Sequence, residues 1–253
     1  MIVSHRHQFI FLHCRKAAGS SFKVSAARYL GENDVMIGAL KDCRRHGISP
    51  PKAMIRRAHR DLHWPSVFFR LARGRGSWSY WSLVQASIKH SYASSLGNRP
   101  EHAPASDVRA TFPSEWETYK KFCIVRNPWE QLVSDYHWRM RKHPSTTFKE
   151  FVVLTERQEK GAAPYWPNWF LYTIDDRPVV DRFIRFEHLV EDCRETFGWL
   201  GIEWDGWLPN AKSIKSARSP AKERAYRELY DAETREIVAA MRKQEIEYFG
   251  YEF

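Results

Sequence analysis

Gln8-Phe-Ile-Phe-Leu-His-Cys14-Arg-Lys16-Ala-Ala-Gly19-Ser-Ser21-Phe22 is the stretch that decides the fold. Gln8 to Cys14 is short, apolar and rich in aromatic and β-branched residues, the pattern of a buried strand. Ala17, Ala18 and Gly19 form a turn of small residues. From Ser20-Ser21 onward, Phe22, Val24, Ala27 and Leu30 recur at helical spacing, and Gly31 fits a helix stop. A helix N-terminus presents unpaired N–H groups and the positive end of a dipole, so this corner suits an anion. Lys16 adds a charge at its entrance, and Ser20 and Ser21 add hydroxyl donors. The glycine-rich consensus of ATP and GTP sites is absent, because Lys16 precedes Gly19 instead of following it.

A second corner of the same kind lies downstream. Lys121 to Arg126 is an apolar strand. Asn127 has the side chain of an N-cap, and Pro128 occupies the first helical turn, where a missing N–H costs nothing. Arg126 thus sits at the carboxyl end of a strand, where α/β sheets bind ligands. Ser134, seven residues past Asn127, returns to nearly the same helix face. Further strands are expected at 34–38 and 182–186. Helices are expected at 64–73, 79–92, 106–111, from 113, after 128, at 148–159 and 187–200, and as one long helix over 231–249. Strands alternating with helices imply an α/β fold: three layers with a central parallel sheet flanked by helices. We read 1–253 as one domain, with a helical basic insert over about 40–105.

The chain has 253 residues, 43% hydrophobic and 15% aromatic, enough for a sizeable core and too much for disorder. No apolar run approaches the roughly 18 residues of a membrane span, and the start lacks the pattern of a secretory signal. Cys14, Cys43, Cys123 and Cys193 are too scattered for a zinc site or a disulfide frame, so a reducing, cytoplasmic setting is expected. Net charge is +10, and ten Lys/Arg against two acids between Lys41 and Arg75 supply most of it. That segment suits an anionic partner or is a solvated helical face.

In this order, the two corners resemble the PAPS-dependent sulfotransferases, particularly their carbohydrate-type branch. The first signature of that family has the form His-x-Pro-Lys-Thr-Ala-Gly-Thr-Ser, here His13 to Ser21. Its second is Val-Arg-Asn-Pro before an apolar helix with a serine, here Val125-Arg126-Asn127-Pro128 through Ser134. Arg185-Phe-Glu187-His-Leu189 and the tail from Tyr230 to Tyr251 also look like this family. The resemblance implies a P-loop-like form of that fold, a donor, 3′-phosphoadenosine 5′-phosphosulfate, and no metal. Arg15, Lys16, Ala17, Ala18, Gly19, Ser20, Ser21 and Phe22 would cradle the 5′-phosphosulfate. Arg126 and Ser134 would hold the 3′-phosphate, and a loop carrying Lys212, Lys215 and Arg218 would close over the nucleotide. Arg15 stands where the family usually has Pro, and Ala17 where it has Thr.

The activity so implied is in-line transfer of a sulfuryl group to an acceptor hydroxyl, on a carbohydrate or glycolipid. Lys16 would meet charge developing on the leaving phosphate, and a base would take the hydroxyl proton. His102 is the first choice for that base; Glu101, His59, His63 and His90 are alternatives, and His13 reads as structural. His59-Arg60-Asp61-Leu62 mimics a kinase catalytic loop but lacks its asparagine. His59 and His63 have metal spacing without a third ligand. Trp64, Trp78, Trp81, Trp166 and Trp169 suit either sugar stacking or the core. Two rival readings are a P-loop phosphotransferase and a non-catalytic polyanion binder. No nucleic-acid partner is expected. Peripheral membrane contact, oligomeric state and the identity of the acceptor are left open.

Overall fold

The computed structural model describes residues 1–61, 80–141, 145–160, 167–209 and 226–253. Its centre is a five-stranded sheet. In chain order the strands are β1 (Ile2–Ser4), β2 (Phe9–Leu12), β3 (Val35–Met36), β4 (Lys120–Val125) and, after a two-stranded ribbon formed by β5 (Thr173–Ile174) and β6 (Arg177–Pro178), β7 (Arg182–Arg185). Their spatial order is β3-β1-β2-β4-β7. The β2–β4 and β4–β7 pairs are parallel, with Phe11 opposite Phe122 and Cys123 opposite Phe183. All four residues of β2 and the last four of β4 are buried, as expected of strands covered on both faces.

The expected all-parallel sheet needs one correction. β1 runs antiparallel to both β2 and β3, so four strands share a direction and one is reversed. This three-residue strand gave no readable pattern in the sequence. Its return turn is held by Asp34, whose carboxylate accepts from the Ser4 hydroxyl at 2.6 Å and from the N–H groups of His5 and Arg6 at 2.8 and 3.1 Å.

Helices flank the sheet. The first, α1 (Gly19–Ala26), follows β2 directly and is shorter than the helix expected to reach Leu30. The described part of 40–105 is helical: α2 (Leu40–Arg45), α3 (Lys52–Asp61), α4 (Tyr80–Leu96) and a 3₁₀ turn at Pro100–His102. Next come α5 (Ala105–Thr111), α6 (Pro113–Thr118), α7 (Pro128–Met140), α8 (Phe148–Lys160) and α9 (Trp169–Tyr172). Asn127 caps α7 as its side chain suggests, accepting the Trp129 N–H at 3.1 Å. A 3₁₀ turn at Phe186–His188 leads from β7 into α10 (Leu189–Trp199). The expected helix over 231–249 is two, α11 (Ala232–Met241) and α12 (Lys243–Phe249). The break falls at buried Arg242, which forms a fork with Glu159, both bonds 2.6 Å. The expected helix at 64–73 lies outside the described residues.

Candidate active site

Three strand ends lie side by side along the carboxyl edge of the sheet: β2 running into 13–18, β4 into 126–127, and β7 into 186–187. The first corner is conformationally specialised. Lys16 and Ala18 both adopt left-handed backbone, with φ of 59° and 61°, which costs a non-glycine residue about 1–3 kcal/mol. α1 opens on Ala18 with no side-chain cap and no acidic residue in its first turn, so its leading N–H groups are left for an anion. Gly19 is required sterically: a Cβ there would stand 2.0 Å from Cδ2 of the buried His13 ring. Ala17 is fully buried, Ser20 exposed and Ser21 half-buried. Phe22 differs from its expected place among the donor's contacts. Its ring packs in the core against Phe11, Phe122 and Phe197, and its N–H bonds the Ala18 carbonyl, so it supports the corner from below.

The loop is tied down by residues the sequence did not reveal. Asn168 accepts the Arg15 N–H at 2.8 Å and donates to the Arg15 carbonyl at 3.0 Å. Gln131 reaches that carbonyl from α7 at 3.3 Å. No local pattern marks either side chain, because both act on the main chain of a residue far away in sequence.

Arg126 joins the first two corners. It donates through Nη1 to the Lys16 carbonyl at 3.0 Å and through Nη2 to Glu130 at 2.8 Å, and its guanidinium lies 3.9 Å from the centre of the Phe186 ring. Its Nε is buried without a hydrogen-bond partner among the described residues. The Lys16 ammonium lies 5.6 Å from the centre of the Trp138 ring. Burial lowers its pKa to about 8; Asp135 opposes this, while Arg126, Arg141 and Arg15 add to it. Ser134 is half-buried, two turns along α7 from Asn127. Lys212, Lys215 and Arg218 lie outside the described residues.

On the other flank, His102 sits at the end of its 3₁₀ turn with Nδ1 2.7 Å from the His13 carbonyl. A carbonyl only accepts, so Nδ1 carries the proton and Nε2 the lone pair. The two imidazoles are 4.4 Å apart. Burial holds the His102 pKa down to about 3, helped by the Lys23 ammonium, so the ring is neutral at physiological pH. Glu101 pairs with Lys89, and its other oxygen is buried without a hydrogen-bond partner among the described residues. Of the remaining histidines, His59 bonds the Tyr80 hydroxyl, and His63 is outside the described residues. Trp169 is a core residue, and Trp81 is half-buried with Arg44 stacked on it at 5.0 Å. Trp64, Trp78 and Trp166 are not among the described residues.

The residues present fit a doubly anionic nucleotide: an uncapped helix start, an ammonium at the loop, and an arginine with one nitrogen unsatisfied among the described residues. Among the described residues no three potential ligands gather to hold a metal, and no helix is long and apolar enough to cross a membrane. No curated protein and no solved structure matches the chain. A family model described as "Sulfotransferase family" matches residues 1–252. That match embraces all three strand ends and the helices they launch, so this chain belongs to the sulfotransferase family and is a transferase of sulfuryl groups.

Proposed function

We propose that the donor is 3′-phosphoadenosine 5′-phosphosulfate and the acceptor a hydroxyl group on a carbohydrate or glycolipid. The observation that carries this reading is the bond from Arg126 to the Lys16 carbonyl, which brings both signature corners into one site. When bound, the donor supplies an activated sulfuryl group on a phosphate leaving group. The protein's part is positioning and electrostatic stabilisation.

Arg15, Lys16, Ala17, Ala18, Gly19, Ser20 and Ser21 form the cradle for the 5′ end, through hydroxyls and the main-chain N–H groups after Arg15, whose own N–H is held by Asn168. Lys16 holds positive charge where the leaving phosphate gains negative charge, and below about pH 8 it is an ammonium. Arg126, with Ser134, holds the 3′-phosphate, and Lys215, outside the described residues, is a further cation for the nucleotide. His102 receives the acceptor's proton on Nε2, its ring fixed through Nδ1 on the His13 carbonyl. No metal is assigned a role. The four cysteines are free and buried, which agrees with a reducing compartment, and the cytoplasm is the proposed location.

The test is calorimetry with adenosine 3′,5′-bisphosphate, followed by an acceptor screen with labelled donor. Saturable binding that the Lys16→Ala and Arg126→Ala variants lose, with their folds intact, is the expected result. Absence of binding by the unaltered protein would overturn the donor assignment.

A further inference from the structure

The third strand end holds an acid with no evident structural need for its charge. Glu187 follows β7 on the side of β4 away from the Lys16 loop. Its Oε1 accepts the main-chain N–H of Asn127 at 2.7 Å. Its Oε2 is buried with no hydrogen-bond partner among the described residues, and the same is true of the Tyr251 hydroxyl and of Arg126 Nε. Asn127 is the residue between Arg126 and α7, and its side chain is also committed, to the Trp129 N–H and the Glu252 carbonyl. Phe186, immediately before Glu187, is the platform on which the Arg126 guanidinium lies. Residues 186 and 187 therefore act on residues 126 and 127 as a pair, one on the side chain and one on the main chain.

We propose that Glu187 is a positioning residue for the 3′-phosphate end of the donor: its oxygen fixes the Asn127 N–H and so the backbone from which Arg126 projects. This rests on the donor reading above. A buried carboxylate left half-satisfied is costly, and a neutral side chain would fill the space more cheaply. What Glu187 adds is an acceptor atom of the right reach.

The experiment compares affinity for adenosine 3′,5′-bisphosphate and for adenosine 5′-monophosphate in the unaltered protein and in Glu187→Ala, Glu187→Asp and Glu187→Gln, with thermal melts alongside. Loss of the acceptor, by truncation in Ala or shortening in Asp, is expected to weaken bisphosphate binding about 10-fold and monophosphate binding by less than about 2-fold. Gln keeps the reach without the charge and is expected to restore bisphosphate affinity to within about 3-fold of the original. Should Ala fail to fold, the contrast between Asp and Gln decides. Equal losses for both nucleotides, no loss in Ala and Asp, or failure of Gln to restore binding each overturn the assignment while the donor reading stands. If the unaltered protein does not prefer the bisphosphate, the donor reading falls and this assignment with it.

Discussion

Arg126, at the end of one strand, donates to the main-chain carbonyl of Lys16, at the end of the neighbouring strand, over 3.0 Å. The bond makes a single arginine answerable for two corners, since the same guanidinium also pairs with Glu130 on α7. Arg126→Lys keeps the charge but not the fork geometry. Charge-assisted bonds are worth about 1.5–3 kcal/mol each, so we expect nucleotide affinity to fall by about 10–100-fold. Calorimetry on the variant checks this, and affinity within about 2-fold of the original would remove Arg126 from the site.

Lys16 sets a pH limit. Its pKa is lowered to about 8 by burial, so above that pH the free protein loses the ammonium that an anionic ligand needs. Apparent nucleotide affinity should decline as pH rises through 8, and Lys16→Met should be weak and flat over the same range. Stability should respond in the opposite sense. Between about 8 and the ordinary lysine value, the unfolded chain binds more protons at this residue than the folded one, so its contribution to stability rises with pH. Titrations at pH 7, 8 and 9 on both proteins separate the two effects.

His102 is neutral because burial holds its pKa near 3. The free ring is unprotonated from pH 5 upward, so its own protonation imposes no acid limb in that range, and the burial that keeps it neutral also weakens it as a base. His102→Ala should lower kcat by about 100–10,000-fold, while nucleotide affinity stays within about 2-fold. Initial rates across pH 5–8 provide the check. An inflection near 6.5 that disappears in the variant would show a ring with ordinary basicity, contrary to this geometry.

Asn168 offers a test of loop support away from the reacting atoms. Asn168→Ala removes two bonds to the Arg15 main chain, at 2.8 and 3.0 Å. At about 1 kcal/mol each, the expected loss is about 1–2 kcal/mol of stability, readable by urea unfolding. A fall in nucleotide affinity without any contact to the ligand should accompany it.

Much of this arrangement was legible in the sequence where the signals are local. An apolar run ending in small residues marked β2 and its corner, and Asn127-Pro128 marked the start of α7, because caps and prolines act within one turn. What is not legible there depends on distant partners. β1 is too short to show a period, and its turn is held by Asp34. The break before α12 reflects Glu159, which lies 83 residues from Arg242. Asn168, Gln131 and Glu187 brace main-chain atoms far along the chain, an action that leaves no mark in their own neighbourhood. His13 did read as structural, but nothing in its surroundings announced that its ring would occupy the place of a side chain at residue 19.

That last contact ties two positions into one heritable unit. A methyl group at 19 collides with the imidazole at 13, so change at 19 is blocked until 13 becomes smaller. Descendants of this chain with alanine at 19 should carry a slimmer residue at 13, and the double replacement His13→Ala with Gly19→Ala should tolerate what Gly19→Ala alone does not. The route by which such a loop can vary is therefore ordered, 13 before 19, and libraries that begin at 19 will miss it.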